Sequence, residues 1–305
     1  MPENPASQTV SQEETYSDRL MAFSIPARDV RGRVVRLDEV LDTVLAAHDY
    51  PPAIKHLLAE ALVIATLIGA LVKRDEGQMT MQAQTDGGVV KLLVCDYRGG
   101  ELRGYVDFDR ERLASLGANP GLPALFAGGY LAITFDMADG RGRYQGIVPL
   151  EADSLAEACE SYFLQSEQVP TQIRIAVRSG ADGCSGAGLL IQHMADGEEG
   201  RERIEARQEH PHWEHVSVMA GSVRHEELLD PEISLEALLW RLFHEEAAVR
   251  TTLGPRIVRG CRCSQDYYRT VLARFPEEDL RDMRDESGNI PVDCAFCSKI
   301  FSVAA

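Results

Sequence analysis

Two close-set cysteine pairs near the carboxyl end constrain this chain more than any other feature. Cys261 and Cys263 form a C-x-C pair, Cys294 and Cys297 a C-x-x-C pair, and 30 residues separate them. Four thiolates spaced in this way can close one tetrahedral metal site, and such a set is a strong zinc signal. The same four can instead pair off as two local disulfides. A C-x-C disulfide spans a single intervening residue, so it is strained and easily reduced again. Zinc holds cysteines as thiolates, the form that oxidants attack, so oxidation can dismantle an all-sulfur site. Spacing alone weighs a purely structural zinc site about evenly against a redox-responsive one.

The compartment bears on that choice. Residues 1–17 are polar and acidic, with neither a basic nor an apolar export region, and read as a disordered tail. The longest apolar run, from Ala61 to Val72, has twelve residues. A membrane span needs roughly 20, so this run reads as a buried core helix. A cytoplasmic, reducing location follows, where cysteine clusters bind metal or do redox chemistry rather than stand as structural disulfides. The formal net charge of −17 argues against a general phosphate-binding surface and hence against nucleic acid as a partner.

The fold expected is α+β: an amino-terminal mixed or antiparallel sheet domain with packed helices, a helical linker and a small carboxyl-terminal zinc-binding redox domain. A helix is expected from about Pro52 to Lys73. Met79, Met81 and Ala83 alternate with Thr80, Gln82 and Gln84, which is strand periodicity. Turns at Asp86-Gly87-Gly88 and Arg98-Gly99-Gly100 then make a meander of Val89–Val94 and Leu102–Asp107. Further strands are expected at Tyr130–Asp136 and Gln145–Pro149, joined by the turn Ala138-Asp139-Gly140. A helix capped by Ser154 and Glu157 follows, then strands at Gln172–Val177 and Gly188–His193. The glycines from Gly183 to Gly188 lack the Lys-Ser/Thr pair of a phosphate loop and read as a loop between strands. The core domain thus spans residues 18–195.

Residues 196–255 read as an acidic helical linker. Between Ile191 and Ala247 there are 14 acidic and 5 basic residues, and six of the eight histidines. One helix is expected over Trp213–Val223, with Val216 and Met219 on its apolar side. A second follows Asp230-Pro231, where Leu235, Leu238, Leu239, Leu242 and Phe243 keep helical spacing. Such apolar stripes stay folded only while docked on something. Residues 256–305 form the cysteine module, whose eight basic and eight acidic residues cancel. A module this small commonly needs a staple.

Other motifs point less clearly. His210, His212 and His215 form H-x-H-x-x-H, either a metal-binding cluster or a polar turn. Cys95, Cys159 and Cys184 are isolated, and free cysteine commonly behaves as a small buried hydrophobe. No G-x-S-x-G, H-E-x-x-H or outstanding carboxylate pair suggests an enzyme.

With the cysteines in view, the chain closely resembles the heat-shock protein 33 family. The segments Gly260-Cys261-Arg262-Cys263-Ser264 and Gly288-Asn289-Ile290-Pro291-Val292-Asp293-Cys294-Ala295-Phe296-Cys297 carry the resemblance. Leu102-Arg103-Gly104-Tyr105, Tyr144-Gln145-Gly146-Ile147-Val148-Pro149-Leu150, the run from Tyr162 to Gln168, and Gly188-Leu189-Leu190-Ile191-Gln192 agree with it. It covers roughly residues 18–301, and the histidine-rich stretch is not part of it. The resemblance implies a stress-responsive, ATP-independent holdase rather than an enzyme. When reduced, Cys261, Cys263, Cys294 and Cys297 would bind one zinc ion and the chain, a monomer, would be inactive. Oxidation would form the disulfides Cys261–Cys263 and Cys294–Cys297, release zinc and unfold module and linker. The active form would dimerise and hold unfolded or oxidatively damaged proteins. Val216, Met219, Leu235, Leu238, Leu239, Leu242 and Phe243 are the candidate client-binding residues.

Three rivals remain: a zinc-ribbon nucleic-acid binder, which the acidic balance opposes; a thiol-disulfide oxidoreductase using Cys294 and Cys297; and a metal-stabilised scaffold blind to oxidants. An oxidoreductase would set its C-x-x-C at a helix N-terminus in a thioredoxin-like βαβ unit. Here a strand is expected before the motif, at Ile290–Val292.

Overall fold

Two strands precede the first α-helix, β1 (Arg19–Ile25) and β2 (Val30–Leu37), neither of which stands out in the sequence. The structure, a computed structural model, describes residues 17–72, 77–138, 142–180, 183–194 and 210–304. Nearly all of the expected tail, Lys73 with Arg74, the turn residues Asp139-Gly140 and the acidic stretch 195–209 lie outside the described residues.

After β2 come α1 (Glu39–Leu45) and α2 (Pro52–Gly69). Pro52 suits the first turn of α2, where a missing N–H costs nothing. The helix has 18 residues, and its apolar window has mean hydropathy 1.5, enough by length and composition to cross a membrane. In this fold 72% of that window is buried, because α2 packs against both large sheets.

The expected meander is present as β3 (Gly77–Gln84), β4 (Val90–Arg98) and β5 (Glu101–Phe108). Two short helices follow, α3 (Arg110–Ala114) and α4 (Leu122–Phe126), then β6 (Tyr130–Met137) and β7 (Arg143–Pro149). Helix α5 (Leu155–Tyr162) is capped by the Ser154 hydroxyl, which accepts from Glu157 N–H, and its chain continues in a π-turn to Glu167. Then come β8 (Thr171–Gly180) and β9 (Gly183–His193).

The glycine-rich stretch is strand, not the loop expected of it. Gly186 and Gly188 lie in β9 against α2, where an added Cβ would come within 2.7 Å of Val63 and 2.8 Å of Leu67. Glycine serves close approach of sheet and helix there, not a flexible connection.

Helices α6 (Pro211–Gly221), α7 (His225–Leu229) and α8 (Leu235–Phe243) form an arm. The chain returns to the core as β10 (Arg250–Arg256) and β11 (Val258–Arg259). Residues 250–256, placed by the sequence at the end of the linker, are thus an edge strand of a core sheet. The cysteine module adds α9 (Gln265–Leu272), α10 (Glu277–Met283) and the hairpin β12 (Ile290–Asp293) with β13 (Ile300–Val303).

The five-stranded sheet has the order β10-β1-β2-β9-β8 and the six-stranded sheet the order β11-β5-β4-β3-β6-β7. Their inner faces enclose the main core around α2. The five-stranded sheet is apolar on both faces. Leu20, Val35 and Leu190 point into the main core, while their neighbours Met21, Val34 and Ile191 join a second core with the arm. The sheet therefore requires a cover on its outer side, and the arm supplies it.

Candidate metal centre

Cys261 lies just after β11, Cys263 just before Ser264, which caps α9, and Cys294 and Cys297 flank the turn between β12 and β13. Cys261 follows β11, whose parallel pairing with β5 ties it to the six-stranded sheet. Gly260 lies so close to β5 that an added Cβ would fall 2.3 Å from the Glu101 Cβ. Cys294 ends β12, and the turn to β13 is closed by Cys297 and Ser298 N–H groups donating to the Cys294 carbonyl at 3.1 and 2.8 Å. Cys294 N–H in turn donates to the Lys299 carbonyl at 3.0 Å. The C-x-x-C motif is thus the turn of a β-hairpin and does not open a helix, unlike a thioredoxin-type site.

The Sγ atoms of Cys261, Cys263, Cys294 and Cys297 all lie within 4.8 Å of one another, and all four cysteines are free thiols. Cys261 and Cys263 are 3.3 Å apart. Across the motifs Cys261 meets Cys294 at 3.6 Å, and Cys263 meets Cys297 at 3.4 Å. Cross-motif distances match the one within C-x-C, so the four make one site. A tetrahedral zinc with bonds of about 2.3 Å separates its sulfurs by about 3.8 Å. The set therefore fits one such ion, in number, chemistry and spacing.

Electrostatics at the site favour a cation. Burial pushes the Cys294 thiol up, but the Tyr268 hydroxyl, the Phe296 N–H and neighbouring thiols outweigh it and bring it down to about 7. Cys263 and Cys297 are instead pushed up, by burial and by hydrogen bonds among the sulfurs. Four sulfurs this close cannot all ionise unaided, and a divalent cation is what allows it. Outside the site, Cys95, Cys159 and Cys184 are buried in β4, α5 and β9, and burial raises all three thiols, Cys184 to about 11. They are ordinary core residues.

The module's own core is slight: Leu272, Leu280, Ile290 and Val303, with Tyr268, Val292 and Phe301 packed beside them. It leans on the core domain through the C-x-x-C turn. The Ser298 hydroxyl lies 3.0 Å from His48 Nδ1, and His48 also bonds the Ala295 backbone. The Phe296 ring stands edge-on to Tyr105. None of these partners stands out in the sequence. Asp96 gives a faint signal, as an acid directly after the apolar run from Leu92 to Cys95.

The candidate client residues are packed against the outer face of the five-stranded sheet. Val216, Leu235, Leu238, Leu239, Leu242 and Phe243 are buried, and Met219 is partly so. Phe243 meets Phe23 of β1 with ring centroids 5.8 Å apart. Each such side chain contributes about 1.5–3 kcal/mol relative to exposure. Two polar clamps fasten the arm. Arg36 of β2, 2% exposed, donates to the Leu228 carbonyl at 3.1 and 2.9 Å and to the Ile233 carbonyl at 2.8 Å. Glu246 accepts from Arg28 Nε at 3.0 Å and meets His215 Nε2 at 3.1 Å.

The three histidines do not converge. His215 pairs with Glu246, His210 caps α6 and stacks with His193, and His212 packs edge-on to His210. Among the described residues, the four cysteines are the cluster suited to a metal.

The Glu246 clamp carries a pH dependence. Burial pushes its carboxyl up, but Arg28 and His215 outweigh it and hold it below the ordinary 4.5. A carboxyl held low stabilises the fold fully above its unfolded pKa and ceases to do so as pH falls through the lower folded value. Arm protection against hydrogen exchange, corrected for intrinsic rates, should therefore hold from neutral pH to about 5 and drop below about 4.5. In E246Q the arm should be looser at neutral pH and lack this clamp's acid response.

Comparison with known proteins agrees with this architecture. The model of the family described as Hsp33 protein matches residues 18–304. The 33 kDa chaperonin of Caulobacter vibrioides is 40% identical over 295 residues, covering 94% of each chain. That of Pseudomonas aeruginosa is 36% identical over 287 residues, covering 93% of this chain and 91% of its own. Among solved structures, the 33 kDa chaperonin (heat shock protein 33 homolog) of Thermotoga maritima aligns with a TM-score of 0.75 at 22% identity, over 93% of this chain and 94% of that one. Two sheets around a central helix, a docked arm and a four-sulfur module are thus the frame of a chaperone, and the relatives' names are chaperone names rather than enzyme names. The chain belongs to the Hsp33 family.

Proposed function

We propose that this protein is a redox-regulated, ATP-independent holdase of the cytoplasm. The observation that carries the reading is the convergence of four free sulfurs in a module whose own core is four buried side chains. Cys261, Cys263, Cys294 and Cys297 would hold one zinc ion, which when bound keeps all four as thiolates and staples the module. One peroxide per cysteine pair accepts two electrons and, with two protons from solvent, becomes two waters as the disulfide forms. The pairs would be Cys261–Cys263 and Cys294–Cys297, and the metal loses its ligands.

The chain itself transmits the change. Cys261 continues directly from β11 and β10, and β10 lies beside β1, on which Phe243 of the arm packs. When the module unfolds, β11 loses its anchor on β5, and the strain runs through β10 to the arm. Residues 18–195 would remain the folded core, residues 196–255 would act as linker, and residues 256–305 as the switch. Val216, Met219, Leu235, Leu238, Leu239, Leu242 and Phe243 would then meet unfolded or oxidatively damaged proteins. The same exposed surface would favour a homodimer over the reduced monomer.

The test follows zinc release and suppression of client aggregation together during peroxide treatment at raised temperature. Both should rise together, and a C294S/C297S variant should not show the coupled response. Full suppression by the reduced, zinc-loaded chain would reject the switch. Zinc release with no gain in suppression would reject it equally.

A further inference from the structure

Two residues lying between the cysteines, Arg262 and Phe296, make contact with one spot on the core. Arg262, inside C-x-C, donates from Nη2 to Gln78 Oε1 of β3 at 2.8 Å and lies 3.6 Å from Asp96 Oδ2 of β4. Phe296, inside C-x-x-C, is edge-on to Tyr105 of β5, with ring centroids 5.0 Å apart and planes at 86°. The guanidinium carbon of Arg103, also on β5, sits 4.0 Å from the centre of the Phe296 ring. Arg103 Nε donates to Asp96 Oδ2 at 2.8 Å, the oxygen that Arg262 also approaches. The other Asp96 oxygen accepts from the Thr80 hydroxyl at 2.7 Å. Asp96 is 4% exposed.

Two guanidinium groups thus share one buried carboxylate, and Arg103 is further balanced by the negative face of the Phe296 ring. Neither contact can be made by an isolated motif in an arbitrary position. Arg262 and Phe296 reach this spot side by side, with their flanking sulfurs meeting across the motifs at 3.4 and 3.6 Å.

We propose that the Asp96–Arg103 pair is a two-point receiver for the cysteine site, docking the module only when both motifs are assembled. Arg262 and Phe296 are its positioning residues. This deepens the proposed switch and rests on it: separating the motifs withdraws one residue or both, and the module leaves the sheet. The buried Asp96 carboxylate therefore answers to the state of all four sulfurs without touching any of them, while Glu101 Oε2 lies 3.8 Å from Arg262 Nη1.

The experiment uses the full reduced chain as R262A, F296A, the double variant and F296Y. Zinc per chain and titratable thiols report the sulfur site. Hydrogen exchange at the Val258 and Gly260 amides, which donate to the Gly100 and Leu102 carbonyls at 2.9 Å, reports docking. Each single alanine variant should keep its zinc and four reactive thiols yet exchange at these amides about 10-fold faster, the scale of one charge-assisted hydrogen bond for R262A and of one desolvated cation–π contact for F296A. The double variant should be little faster than either single one, because both act through one receiver. F296Y should behave as the parent.

Parent-like protection in zinc-loaded R262A or F296A would overturn the proposal. Multiplying effects in the double variant would do so too, by showing two independent contacts. Zinc loss from F296A would assign the ring to the sulfur site instead of the docking. A parent chain without zinc would sink the switch itself, an outcome read separately from the exchange data.

Discussion

Replacing Cys263 with serine is expected to empty the sulfur site and unfold the module while the two-sheet core stays folded. Serine is a poor zinc ligand at neutral pH, and three remaining sulfurs cannot close a structural tetrahedral site. Structural zinc contributes apparent folding free energy of about 10–16 kcal/mol in small modules. Against that, the module has four buried side chains to offset ordering entropy of about 1–2 kcal/mol for every residue fixed. Zinc should fall from one per chain to near zero. Amide protection across α9, α10 and the β12–β13 hairpin should vanish, and the main core around α2 should keep its own. Persistent protection in that hairpin would show that packing alone holds the module and would leave oxidation no lever.

The second large effect is expected at Arg36. Its guanidinium is buried and donates to two arm carbonyls, and burial lowers its pKa despite Asp38 and Asp230 nearby. Hydrogen bonds from charged groups contribute about 1.5–3 kcal/mol each. Methionine matches much of the arginine stem but donates nothing, so R36M leaves the Leu228 and Ile233 carbonyls facing an apolar wall. Opening of the arm should become favourable by on the order of 3 kcal/mol, roughly a 100-fold rise in exchange over residues 211–243. The variant should keep its zinc, because the acceptors of Arg36 lie in the arm and not in the cysteine module. Under the proposed switch it should also suppress aggregation without oxidation. Unchanged arm exchange in R36M would show that apolar packing alone decides docking.

Under the proposed switch, the two variants cut one pathway at opposite ends. C263S removes the restraint at the module, and R36M removes it at the arm. An arm that opens in R36M while zinc is retained places the release step downstream of the metal.

Much of the architecture is legible along the chain because it depends on local repeats. The meander of β3, β4 and β5 follows from period-two alternation broken by Gly-rich turns. The stripe on α8 follows from helical spacing, and all five of its residues are buried. The glycines of β9 misled for a physical reason. Without side chains they carry no pattern, and only the approach of Val63 and Leu67 from α2 explains them. Strands β1 and β2 were hidden because β1 is apolar on the side covered by the arm and β2 is interrupted by arginines, including the buried Arg36.

The sequence by itself showed that four sulfurs could come together at one site, since two close-set pairs sit in a module small enough to need a staple. It also determined that the arm must be covered, since an apolar helical stripe cannot remain in water. Only the tertiary structure decided what covers the arm, namely the outer face of a sheet already packed on its inner side. It alone brought Asp96, Arg103, Arg262 and Phe296 to one place. Local periodicity records which side of an element is apolar, whereas the meeting of residues 160 to 200 positions apart is set by how sheets and helices stack.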